Sequence, residues 1–140
     1  MRIIKIFISL LSLLIGGLIY IGFRDENLLM FDWFNNLGLN SYIVFFRTAL
    51  QHIDLPNWVI YSLPDGLWVL SYMILINEIW KSKREPQYYI WSYSLPIIAI
   101  TLEITQIFTS YVGTFDIYDL LCYICPILFF LVNDIYNYKK

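Results

Sequence analysis

Five side chains between residues 65 and 119 stand where an apolar sequence has little ordinary use for them. Asp65 lies in Ser62-Leu63-Pro64-Asp65-Gly66, Glu103 and Gln106 are three apart in Glu103-Ile104-Thr105-Gln106, and Asp116 and Asp119 are three apart after Phe115. A spacing of three puts two side chains on one face of a helix, a turn apart. Carboxyls gathered away from water can share protons as an acid and base, hold a cation, or pair with arginine.

Each set also has a plainer use. Ser62 as N-cap with Asp65 three residues on makes a capping box, and Pro64 suits a first helical turn. Asp116 as N-cap with Asp119 at the third helical position favours the positive end of a helix. Glu103 is harder to absorb, because the apolar run around it extends to Ser110 and puts its carboxylate roughly 10 Å inside the helix end. Its plain use there is a hydrogen bond between packed helices.

Other reactive types carry less. Cys122 and Cys125 form a C-x-x-C, but the only histidine is His52 and there is no second cysteine pair, so four metal ligands are not at hand. Set among Leu120, Leu121, Tyr123, Ile124 and Ile127, these thiols read as small buried hydrophobes. No nucleophile elbow, zinc-protease helix or phosphate-cradling glycine loop occurs, and no cofactor is implied.

The elements that must position these residues follow from composition. The 140 residues are 59% hydrophobic and 14% charged, with a mean hydropathy of +0.63, too few polar groups to cover a surface in water. The net charge of −2 lacks the basic patch that nucleic acid requires. The sequence therefore predicts an all-α polytopic membrane protein, a single membrane domain over 1–140. Four spans are expected, at about 3–23, 62–80, 88–110 and 114–136, with a long loop over 24–57.

Nine basic residues set the direction. Arg2, Lys5, Lys81, Lys83, Arg84, Lys139 and Lys140 fall on one side of this plan, and only Arg24 and Arg47 on the other, so both termini should be cytoplasmic. Trp58 would mark the outer interface, and Trp80, Tyr88 and Trp91 the inner one. The outer loop is apolar from Leu28 to Phe34, and from Ser41 to Ile53 its apolar residues recur at helical spacing, which predicts an interfacial or re-entrant helix.

Alternating chain direction would bring Asp65, Glu103, Gln106, Asp116 and Asp119 to one outer slab. Together they predict an outward-facing acidic pocket, lined also by Tyr61, Tyr72, Thr109, Tyr118 and Tyr123. Four carboxyls there cannot all stay charged without a counterion: some are protonated, or they hold a cation, or they pair with Arg47 or Arg24 of the loop. With no inverted repeat, and polar residues confined to the outer half, a transporter is not expected.

The order Leu63-Pro64-Asp65, Glu103-x-x-Gln106 and Phe115-Asp116-x-x-Asp119 resembles the VanZ-like family over about residues 63–121. That resemblance implies a small multi-pass protein of the bacterial cytoplasmic membrane with an envelope role, in some members resistance to glycopeptides such as teicoplanin. The matching positions are Pro64, Asp65, Glu103, Gln106, Asp116 and Asp119. Where the family has a basic residue after the first aspartate and an arginine before Phe-Asp, this chain has Gly66 and Gly113-Thr114.

Residues and resemblance together favour recognition of an envelope lipid head group, a peptide or an amphipathic drug. Membrane lipids, a lipid-linked or amphipathic small molecule and a membrane-protein partner are the partners expected. One alternative is an intramembrane enzyme in which Glu103 and Asp65 or Asp119 act as acid and base on a lipid-linked substrate. Another is a structural subunit of a membrane complex that docks through the apolar outer loop.

Overall fold

The structure is a computed structural model that describes residues 2–80, 85–109 and 113–138. Among the described residues every regular element is a helix: α1 (Arg2–Phe23), α2 (Leu29–Asn36), α3 (Asn40–Leu50), α4 (Asn57–Tyr61), α5 (Leu63–Trp80), α6 (Pro86–Thr105) and α7 (Ile117–Tyr138). Lys81, Lys83, Arg84, Lys139 and Lys140, on which the expected orientation depends, lie outside the described residues, as do Ser110 and Tyr111.

The packing of α1 inverts that of a helix in water. Its buried residues are Ser9, Ser12, Gly16 and Gly22, while Ile3, Phe7, Leu10 and Leu14 point away from the protein. Small residues on the inner face let the backbone approach α5 closely, as helices do where lipid rather than water surrounds them. A Cβ on Gly16 would stand 2.7 Å from the Trp68 indole nitrogen. Ser9 Oγ donates to the Ser71 carbonyl at 2.8 Å and lies 3.0 Å from Ser71 Oγ.

Ion pairs at both ends fix these two helices antiparallel. Lys5 Nζ is 2.7 Å from Glu78 Oε1, and Arg24 pairs with Asp65. Antiparallel contacts continue through the bundle. Tyr72 on α5 donates to the Trp91 carbonyl and lies 3.2 Å from Ser94 Oγ, and the Tyr88 hydroxyl donates to Asn77 Oδ1 at 3.2 Å. α7 then packs on both α5 and α6.

On α6 the buried face is Tyr88, Ser92, Pro96 and Glu103, a helical stripe that ends in a carboxylate. Where α5, α6 and α7 meet, Val69, Met73 and Phe130 form a buried apolar centre, ringed by Tyr72, Tyr93, Tyr123 and Ile127. It separates a polar end at Arg24 and Asp65 from another at Lys5 and Glu78.

α1 and α7 are long and apolar enough to cross a membrane. α5 and α6, with 18 and 20 residues, are shorter. Within 24–57 the expected helix is present as α3, and a second one, α2, precedes it. Gly38, at φ +72°, closes α2 in a conformation that costs glycine nothing, and its N–H donates to the Asn35 carbonyl at 3.0 Å.

Candidate functional site

The carboxylates meet because the α6–α7 connection is tied by its own side chains. α6 stops at Thr105, so Glu103 stands in its last turn on the buried face, 4% exposed. This corrects the expectation that no helix end is near enough to use its charge. Glu103 Oε1 accepts the Asp116 N–H at 2.7 Å, so the end of α6 caps the start of α7. Asp116 Oδ1 accepts the Tyr118 N–H at 2.8 Å, which makes Asp116 the N-cap that its spacing predicts, with Asp119 at the third helical position.

Arg24 is the cation of the site. Its guanidinium donates to the Tyr61 carbonyl at 2.7 Å, lies 3.4 Å from Asp65 Oδ2, and stands 5.0 Å from the ring centroids of both Tyr20 and Tyr61. Two aromatic faces and a carbonyl hold a guanidinium in place at little conformational cost. Asp65 feels the charges of Asp119 and Glu103 as well, and Asp119 those of Asp116 and Arg24. Tyr123 lies close enough to feel the charges of Asp65, Asp119 and Glu103. Asp65, Glu103, Asp116, Asp119 and Tyr123 are thus gathered at one end of the bundle.

Ser62 does not form the expected capping box. An N-cap residue has extended backbone, whereas Ser62 lies between α4 and α5 at φ −102°, ψ −40°, already helical, so its hydroxyl is not turned toward the first free N–H groups of α5. It faces Asp119 instead. Ser62 is 0% exposed, and its hydroxyl interacts with the Asp119 carboxylate. Arg24 Nε is buried without a hydrogen-bond partner.

Three expected site residues stand elsewhere. Arg47 donates to the carbonyls of Ile21 and Arg24 at 2.8 and 2.9 Å and pairs with Glu26 at 3.1 Å, because the free carbonyls at the end of α1 attract a guanidinium. It therefore closes α1 and anchors α3 instead of entering the acidic group. Tyr72 sits about 10 Å down α5 from Asp65 and ties that helix to α6. Gln106 caps α6, and its amide packs against Gly113, which holds φ +133° in the connection. Thr109 bonds back to the Thr105 carbonyl at 3.2 Å.

Buried carboxylates also occur at the other end. Glu78, held by Lys5, and Asp134, reached by the Tyr93 hydroxyl at 3.5 Å, correct the expectation that polar residues stop halfway. Their signal is faint in the sequence, because each lies near the end of an apolar run where a charge reads as solvated.

Beside the acidic group runs an apolar groove of about 440 Å³ between α5 and α7. Leu63, Leu67 and Leu70 form one wall, Leu121 and Cys125 the other, and Trp58 and Tyr118 also line it. Its floor is the contact of Gly66 with Cys122, where an added Cβ would lie 2.7 Å from the cysteine Cβ. Both cysteines are free thiols, and Cys125 is exposed. No three His, Cys, Asp or Glu side chains among the described residues converge tightly enough for a metal ion.

No protein-family model, curated protein or solved structure matches the chain. The chain is a helical bundle with two helices long and apolar enough to cross a membrane and charged groups at both ends.

Proposed function

We propose that this is a VanZ-like protein of the bacterial cytoplasmic membrane, crossing it four times through α1, α5, α6 and α7 with both termini inside. The outward-turned apolar residues of α1 and the antiparallel order of the four long helices support that topology. The Arg24 end then faces outward. In this reading Arg24 supplies the basic partner that the family carries beside its first aspartate and that Gly66 cannot provide.

The function we propose is recognition of an amphipathic envelope molecule, a lipid, a lipid-linked peptide or a drug, with a role in glycopeptide tolerance. The observation that carries it is a half-buried charged group of Arg24, Asp65 and Asp119 at the same end of the bundle as an apolar groove of ligand size. The test is the teicoplanin and vancomycin susceptibility of a sensitive host expressing the wild type, Glu103→Gln or Asp65→Asn at matched membrane levels. Tolerance with the wild type and its loss in both variants is expected; no tolerance with the wild type removes that role.

A second reading, a structural subunit, is favoured by α2 and α3, where Trp33, Tyr42 and Phe45 are exposed. A partner that co-purifies with the wild type and with Glu103→Gln, but not with Phe45→Ser, would establish it.

A further inference from the structure

Resting on the membrane-crossing part of the reading above, we infer that α2 and α3 form an amphipathic hairpin laid into the outer leaflet, its exposed face of Leu29, Trp33, Tyr42 and Phe45 covered by neutral lipid and not by a protein. Depth is the first ground. α3 packs beside α1 instead of beyond its end: a Cβ on Gly22 would stand 2.8 Å from Leu50 Cδ1 and 3.4 Å from Phe46 Cε1. Leu18 and Ile21 of α1 share an apolar cleft with Leu39, Tyr42 and Ile43 of α3. Leu18 comes five residues before the end of α1 at Phe23, about 7.5 Å back along the helix. An interfacial helix sinks its apolar face about 5–10 Å past the head groups, which is this depth.

Continuity is the second ground. Leu14 and Leu18 belong to the outward apolar face of α1, and Leu39 and Tyr42, across the cleft, are exposed in their turn. No charged residue lines that cleft, so lipid against α1 extends onto the hairpin without a polar break.

Each helix of the hairpin has three sides. On α2, Phe31 packs under the Arg47 guanidinium and Phe34 lines the cleft, while Leu29, Trp33 and Leu37 recur every four residues and stand exposed. Its third side holds exposed Asp32 and Asn35. On α3, Phe46 and Leu50 meet α1, Tyr42 and Phe45 are 72% and 77% exposed, and Ser41 and Thr48 fill the third side. One packed side, one bare apolar side and one polar side suit a helix that lies against protein at the boundary of lipid and water.

Charge sets the kind of lipid. The fully exposed carboxylates of this segment are Asp25, Glu26, Asp32 and Asp54, and its one arginine, Arg47, is taken by Glu26 and the end of α1. Such a surface draws nothing from anionic head groups, so apolar contact alone seats it.

The test is carried out on the wild-type full chain in phosphatidylcholine vesicles that include a phosphatidylcholine with an aryl diazirine in the upper half of one acyl chain. After irradiation, carbene insertion is mapped by mass spectrometry. Leu14 and Leu18 report lipid contact of α1, and Asn35 and Thr48 report water. Trp33, Tyr42 and Phe45 are expected to be labelled within about threefold of Leu18 and about tenfold above Asn35 and Thr48. Label on Leu14 and Leu18 without the hairpin overturns the inference alone, leaves the membrane crossing standing and gives the exposed face to a protein partner. Label on neither overturns both. Replacing half the lipid by phosphatidylglycerol should not raise hairpin labelling relative to Leu18; a rise that salt abolishes overturns the assignment to neutral lipid.

Discussion

Replacing Arg24 with Met keeps much of the side chain's length and removes its charge and donors. The guanidinium is about one-fifth exposed and its partner Asp65 about one-quarter, so the pair is neither on the surface nor fully dry. Losing one member of a fully buried pair costs about 3–5 kcal/mol, and partial solvation brings this to about 2 kcal/mol. The lost bond to the Tyr61 carbonyl adds about 1 kcal/mol, for an expected total of about 3 kcal/mol. Asp65→Asn leaves Arg24 with that carbonyl, two rings and Asp119, and should cost only about 1 kcal/mol. The double variant no longer buries a stranded carboxylate, so its cost should fall about 1.5 kcal/mol below the sum of the two. Unfolding by dodecyl sulfate in mixed micelles, followed by tryptophan fluorescence, measures all three. An Arg24→Met loss under about 0.5 kcal/mol, or additivity of the pair within that margin, would refute the assignment of Arg24 as the cation of the site.

The same assay checks three further expectations. Glu103→Gln keeps an acceptor for the Asp116 N–H and should cost under about 1 kcal/mol, whereas Glu103→Leu leaves that N–H bare and should cost about 2 kcal/mol. Gly66→Ala drives a methyl into Cys122 and should lose about 2 kcal/mol, while Gly17→Ala, with nothing within 4 Å, should gain about 0.5 kcal/mol. Arg47→Gln should release α3 from the end of α1, seen as faster amide exchange in residues 40–50 with little change in α6 and α7.

Much of the frame is readable from apolar runs alone, because a long helix in this chain needs only length and a lack of breakers. α1, α5 and α7 start and stop close to where those runs do. The end of α6 is not readable that way: Ile107 and Phe108 are as apolar as the helix before them, yet the backbone leaves α6 so that Glu103 can reach Asp116. Asp116 as an N-cap was legible because capping is local, decided by residues two apart. Ser62 was not, because its role depends on α4, a five-residue helix that feeds α5 from behind. Arg24 and Arg47 look alike in sequence. What separates them is that one faces α5 while the other meets the carbonyl end of α1, a difference made only by folding.

The two ion pairs along α1 act as opposed stops. Lys5 and Arg24 are about 28 Å apart along the helix, whereas Glu78 and Asp65 are about 20 Å apart on α5. Both cations must therefore lean inward, toward the middle of the bundle, to meet their partners. A slide of α1 in one direction pulls Arg24 off Asp65, and a slide in the other pulls Lys5 off Glu78. A shift of one helical turn, about 5.4 Å, breaks one contact whichever way it goes. The Ser9–Ser71 hydrogen bonds fix the seam of serine and glycine at its middle, and the charges at the two tips of α1 hold its register against α5 from both directions.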